Sequence, residues 1–279
     1  MEEGRYEHTA VGLDFDSICE ETSTTHPPPS PTTPTPEPHG VILVGGYGSE
    51  GETLGSVENY PSSNLCNIPD LPGSGRGKHT LSIWEPKGNP HKNLVVCGGV
   101  DASGSNTDTC VRWWSGLTSW QSFTSLQFSR VRHSAVSFGR TFLLLGGEAS
   151  PRTGVEFGID THGRKFELNR PVLGACVISQ TDTFIVTGGE TGGWNFVEKY
   201  SSDGEFLESL PSFEHGRRDH ACGSFEDEDG RTVLLVTGGY GVKEKDSIRS
   251  TELLWPDTND WVTGNQRTSD CTLIASYSL

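Results

Sequence analysis

Five short apolar runs each end in a pair of glycines. They are Val41–Val44 before Gly45-Gly46, Leu94–Cys97 before Gly98-Gly99, Phe142–Leu145 before Gly146-Gly147, Phe184–Thr187 before Gly188-Gly189, and Thr232–Thr237 before Gly238-Gly239. Runs this short, rich in Val and Leu, read as fully buried strands rather than helices. A glycine pair permits a backbone turn that side chains would obstruct. The pairs recur at roughly 40–50 residues, the period of propeller blades. One unit repeated five times constrains the fold more than any other feature.

The remainder of each unit agrees. Two positions six residues apart follow most glycine pairs: Trp114 and Trp120, Tyr200 and Phe206, Trp255 and Trp261, with Tyr60 and Cys66 in the first unit. Between them lie turn residues such as Ser202-Asp203-Gly204, so each pair reads as a hairpin. Trp255 and Trp261 are expected to be largely buried between blades. The next unit opens on Arg-x-x-His: Arg76 to His79, Arg130 to His133, Arg217 to His220. Each unit therefore predicts four antiparallel strands, over residues 40–72, 73–127, 128–171, 172–213 and 214–264. Both glycines of a pair are expected in tight turns, at least one with positive φ.

The glycine pair, the spaced aromatics and the Arg-x-x-His step resemble the kelch repeat over residues 40–262. The third unit departs from it, with Phe157 and Phe166 at a different spacing. The fourth has Gly174-Ala175-Cys176 where the fifth has His220-Ala221-Cys222. The resemblance implies an all-β fold, a β-propeller of five four-stranded antiparallel blades, or a shortened six-bladed relative. It implies no single activity.

The net charge of −16 argues against nucleic acid and against an anionic membrane surface, and is compatible with a basic partner. No apolar stretch approaches the ~20 residues that span a bilayer. The first residues, Met1-Glu2-Glu3-Gly4-Arg5, show no secretory signal, so a cytoplasmic location is expected, with an extracellular one as the alternative. Seven cysteines are present, none in a Cys-x-x-Cys pair. Cys97 with Cys110, and Cys176 with Cys222, occupy positions compatible with disulfides. The reading preferred here is reduced, buried cysteines.

Three segments are expected: 1–21 weakly ordered, 22–39 a disordered Pro/Thr-rich linker, and 40–279 the propeller. Two segments compete for the inner strand of the first blade. Cys271–Ala275 matches the opening of the second unit, and Arg5–Val11 matches Arg130–Val136. The C-terminal segment is preferred, because a long insertion inside a compact unit is uncommon.

Histidines 79, 133 and 220 recur with the repeat, and converging histidines bind metals or move protons. Recurrence once per unit points instead to packing, and the recurring arginines are expected to bond carbonyls or carboxylates between blades. Glu226–Gly230 carries acidic oxygens without the alternation of a calcium loop, so a solvated turn is expected. No catalytic, cofactor-binding or metal-ligating residue is assigned, and no cofactor. The function expected is a non-catalytic, monomeric recognition module for a protein partner, its binding residues not legible. The alternatives are an extracellular propeller on a mucin-like stalk binding carbohydrate, and an enzyme resembling galactose oxidase.

Overall fold

The computed structural model describes residues 9–14, 39–60, 67–88, 91–158, 163–191, 193–255 and 260–264. Blade 1 holds β1 (Thr9–Asp14), β2 (His39–Val44) and β3 (Val57–Tyr60), and the two-residue strand β4 (Arg76–Gly77) follows it. Blade 2 is β5 (Thr80–Trp84), β6 (Asn93–Cys97), β8 (Thr109–Trp113) and β9 (Gln121–Ser125), and β7 (Val100–Asp101) pairs with β4. Blade 3 is β10 (Ser134–Phe138), β11 (Thr141–Leu145), β12 (Thr153–Phe157) and β13 (Arg164–Glu167). Blade 4 is β14 (Cys176–Ser179), β15 (Thr183–Thr187), β16 (Val197–Ser201) and β17 (Phe206–Leu210). The short β18 (Arg217–Arg218) precedes blade 5, which is β19 (Ala221–Glu226), β20 (Thr232–Thr237), β22 (Thr251–Trp255) and β23 (Asp260–Gly264), with β21 (Tyr240–Gly241) paired to β18. All ladders are antiparallel, and the first strands neighbour one another in the order β1, β5, β10, β14, β19. The fold is a β-propeller.

The apolar runs are continuous because the second strands are buried on both faces. In β6, Leu94 and Val96 pack toward blade 1 with Ile42, Val44 and Trp113, while Val95 and Cys97 pack toward blade 3 with Phe142 and Leu144. Similar clusters join blades 3 and 4 around Phe184 and Tyr200, and blades 4 and 5 around Phe213 and Leu234.

Both glycines of every pair have positive φ, 59° and 96° at Gly188 and Gly189. The second glycine donates its N–H to the next unit: Gly46 to Arg76 O (2.8 Å), Gly99 to Arg130 O (2.8 Å), Gly147 to Val172 O (2.9 Å) and Gly189 to Arg217 O (2.9 Å). A Cβ on Gly189 would lie 2.8 Å from the carbonyl oxygen of Leu173. Gly189→Ala is therefore expected to destabilise by about 2 kcal/mol, although the same change at an ordinary backbone position stabilises. The urea midpoint measures this, and an unchanged or higher midpoint contradicts it.

Three expectations are corrected. First, β1 occupies the inner slot of blade 1, with Thr9 opposite Val44 and Asp14 opposite His39. The N-terminal match prevails over the preferred C-terminal one, because loop-closure entropy grows only with the logarithm of length. Three doublings of a short hairpin loop cost about 2 kcal/mol. Residues 15–38, the Pro/Thr-rich tract included, lie between these two paired strands in sequence and outside the described residues. Cys271–Ala275 lies outside the described residues.

Second, the aromatic register shifts by one residue. Tyr200 stands opposite Phe184, and its counterparts are Trp113 opposite Leu94, Phe157 opposite Phe142, and Leu254 opposite Leu234. Trp114 and Trp255 therefore point to the other face, since strand side chains alternate. Trp255 is only part-buried and donates to Asp227 Oδ2 at 3.0 Å. Trp120 is buried and Trp261 only part-buried, and both fasten their blade to the linker before it, donating to Pro69 O and Pro211 O, both at 2.7 Å.

Third, four cysteines are paired. Cys97 and Cys110 stand directly opposite on β6 and β8 and are bonded. Cys176 and Cys222 join the inner strands of blades 4 and 5. The antiparallel register and the shared repeat position bring each pair within bonding reach.

Candidate functional site at the axial rim

The Arg-x-x-His step builds both the blade contacts and the rim around the axis. Each arginine is buried and ties the second strand of its own unit to the third. Arg76 donates to Thr109 O (2.7 Å), Thr109 Oγ1 (2.7 Å) and Gly98 O (3.3 Å). Arg130 does the same with Gly146 O, Thr153 O and Thr153 Oγ1. Arg217 reaches Gly238 O, Ser250 O and the carboxylate of Glu252, at 2.9, 3.0 and 2.6 Å. These bonds run within a unit; the link between blades is the arginine's own carbonyl, which accepts from the preceding glycine pair. Unit 4 has Val172 at the arginine position. There Arg170 takes over the charge, pairing with buried Glu198 at 2.6 Å.

The histidines pack against the glycine pairs of the preceding blades. A Cβ at Gly98 would lie 2.8 Å from the His133 ring, and one at Gly188 2.7 Å from the His220 ring, so each imidazole covers a glycine of the preceding blade. His133 Nε2 bonds Thr80 Oγ1 and His220 Nε2 bonds Thr187 Oγ1, both at 2.9 Å. Thr187 donates its own proton to Cys176 O. His220 is therefore the donor to Thr187, which fixes the neutral Nε2–H tautomer. Burial, with Arg130 and then His79 nearby, pushes the His133 pKa down to about 3. Burial and Arg217 do the same for His220, to about 3. Both imidazoles are enclosed, and burial disfavours their charged form. Among the described residues no group of three or more His, Cys, Asp or Glu could hold a metal ion.

The residue before each histidine position forms the rim. Lys78, Arg132, Gly174 and Asp219 all have left-handed backbone, with φ of 55°, 56°, 60° and 51°. They are joined in sequence by backbone bonds: Arg132 N to Lys78 O (3.3 Å), Gly174 N to Arg132 O (2.9 Å), Asp219 N to Gly174 O (2.7 Å). Non-glycine residues held in this region mark a backbone over-determined by its surroundings. Arg132 extends across blade 4, with Nη1 2.6 Å from Glu190 and Nη2 3.0 Å from Asp219. Arg218 also bonds Asp219, at 2.7 Å. Its guanidinium lies over the rings of Trp194 (5.7 Å) and Tyr240 (4.9 Å). Lys78 stands over Tyr47 at 6.0 Å. Tyr47, Lys78, Trp194, Arg218 and Tyr240 are all part-exposed. The rim thus presents aromatic and guanidinium groups on a rigid ring, with opposite charges interleaved.

Sequence reasoning assigned no binding residue. Trp194 lies in a loop while Arg218 and Tyr240 lie on the short strands β18 and β21, all separated in sequence, and no local motif unites them. The acidic hairpin is a turn, as predicted: Asp227 Oδ1 accepts the N–H groups of Asp229 (3.0 Å) and Arg231 (2.9 Å).

No family model matches the sequence. No curated protein matches it. Among solved structures 212 chains match. One, described as "Structure of YjhT", superposes with a TM-score of 0.58 at 15% identity, over 81% of this chain and 81% of that chain. This likeness reaches the fold and no further: the chain shares the propeller-like architecture of that protein.

Proposed function

We propose that this chain is a non-catalytic kelch-type propeller that recognises a protein partner at the axial rim. The observation that carries the reading is the cluster in which the Arg218 guanidinium lies over the rings of Trp194 and Tyr240, with Arg218 and Tyr240 paired in the β18–β21 ladder. Trp, Tyr and Arg dominate binding hot spots, and a rigid frame lowers the entropy cost of docking on them. The recurring histidines, neutral and enclosed, support a binding role over catalysis. The net charge of −16 favours a neutral or basic partner over nucleic acid or an anionic membrane. The two disulfides favour an oxidising compartment over the cytoplasm. That supports the extracellular half of the carbohydrate-binding alternative, though not its stalk.

Quantitative pull-down with mass spectrometry tests the reading, comparing wild type with Trp194→Ala and Arg218→Ala. A partner held by wild type and reduced at least tenfold by each variant supports it. Equal recovery by all three contradicts it. A glycan array run in parallel decides against a protein partner if a glycan binds wild type and is lost with both variants.

A further inference from the structure

Far from the axis, two of the clefts between blades are closed by an indole. Trp120 packs with Ile68 and Leu71 at the blade 1–2 cleft and donates to Pro69 O, and Trp261 stacks edge-on against Phe213 and donates to Pro211 O. Blade 3 lacks this group. The ladder pairs Glu156 with Arg164, so the next step sets Gly163 opposite Phe157. In blade 5 the corresponding step pairs Leu254 with Trp261. Gly163 therefore stands where blades 2 and 5 have Trp120 and Trp261 and blade 4 has Phe206.

The space left by the missing ring is present. A cavity of about 460 Å³ lies between blades 2 and 3, lined by Thr124, Leu126, Phe128, Val155, Phe157 and Gly163, among others. That volume falls in the range of small-molecule sites. Phe128 is 48% exposed at its edge. Leu126 N bonds Asp108 O as Leu71 N bonds Gly55 O, both at 2.7 Å, which makes the two linkers equivalent. Thr124, in β9, then sits two residues before Leu126, where Pro69 sits before Leu71, so its backbone oxygen is the counterpart of the one that Trp120 meets at Pro69.

We propose that this cleft binds a planar aromatic group of indole size carrying one N–H donor. The group inserts between Phe157 and the Thr124–Phe128 segment at the end of β9, with its N–H toward the Thr124 carbonyl. It comes either from a free small molecule or from a tryptophan of a partner chain.

Calorimetry and thermal unfolding of the whole protein test this with indole, N-acetyltryptophanamide and naphthalene. Saturable binding of indole is expected, with a melting-temperature rise of about 3 °C at ten times Kd. Indole alone assigns the site to a free molecule, and binding of N-acetyltryptophanamide assigns it to a partner's side chain. A Cβ at Gly163 would meet Val155 Cγ1, so the blocking variant is Val155→Ala with Gly163→Trp. It should abolish binding, a loss well beyond any change in Kd produced by Val155→Ala alone. No saturation by either indole compound up to about 10 mM overturns the proposal. So does binding unchanged in the double variant, and naphthalene binding as tightly as indole removes the N–H requirement.

Discussion

Lowering the pH from 7.5 to 4.5 is expected to remove about 5 kcal/mol of stability through His133 and His220 alone. In the unfolded chain each titrates near its ordinary value of about 6.5. In the folded protein burial, reinforced by the neighbouring arginines, holds both down at about 3. As pH falls through 6.5 the unfolded state takes up protons that the folded state refuses. Stability is therefore fully present above about 6.5 and declines by about 1.4 kcal/mol per pH unit for each histidine until the folded pKa is reached. A loss of this size is a large part of the ~5–15 kcal/mol that typical domains possess. Urea unfolding at half-unit pH steps should show the slope, and His133→Asn with His220→Asn should flatten it. A slope that survives the double variant would place the acid sensitivity elsewhere.

The second large effect concerns Arg217 and Glu252, whose side chains are both 0% exposed and lie 2.6 Å apart. Glu252 also accepts the backbone N–H groups of Glu214 (2.6 Å) and His215 (3.2 Å), which anchors the entry to blade 5. Glu252→Ala is expected to cost about 3–5 kcal/mol, because it strands a guanidinium in the interior and leaves two amides without their acceptor. The Arg217→Met, Glu252→Leu double variant should cost much less than the two single changes added together, since no charge remains buried. Additive costs in that cycle would show that the pair is not coupled.

The fold was legible because the glycine pair and the two-sided apolar run encode the same strand twice, once by turn chemistry and once by burial. The register of the aromatics was less so. Trp114 and Trp255 sit beside the buried position, and in a strand one residue decides the face. The inner strand of blade 1 was visible in Arg5–Val11, but the length of the intervening tract was given more weight than its entropy warrants. The rim could not be read from the chain in order. Its residues are neighbours only once successive blades stack, and Gly163 marks a cleft only after pairing shows what it stands opposite.

The pairing of Asp14 with His39 separates two kinds of continuity in this molecule. Residues 15–38 carry the covalent thread, whereas the sheet carries the mechanical connection between the same two strands. A protease that severs the Pro/Thr-rich tract divides the polypeptide without dividing the blade. The short piece stays as an annealed strand, retained by the β1–β2 ladder and its packing beside β5. Such a nicked molecule is a natural split reporter: its N-terminal strand can be exchanged for a synthetic or labelled peptide, or borrowed from a neighbouring copy, while blades 2 to 5 remain one chain.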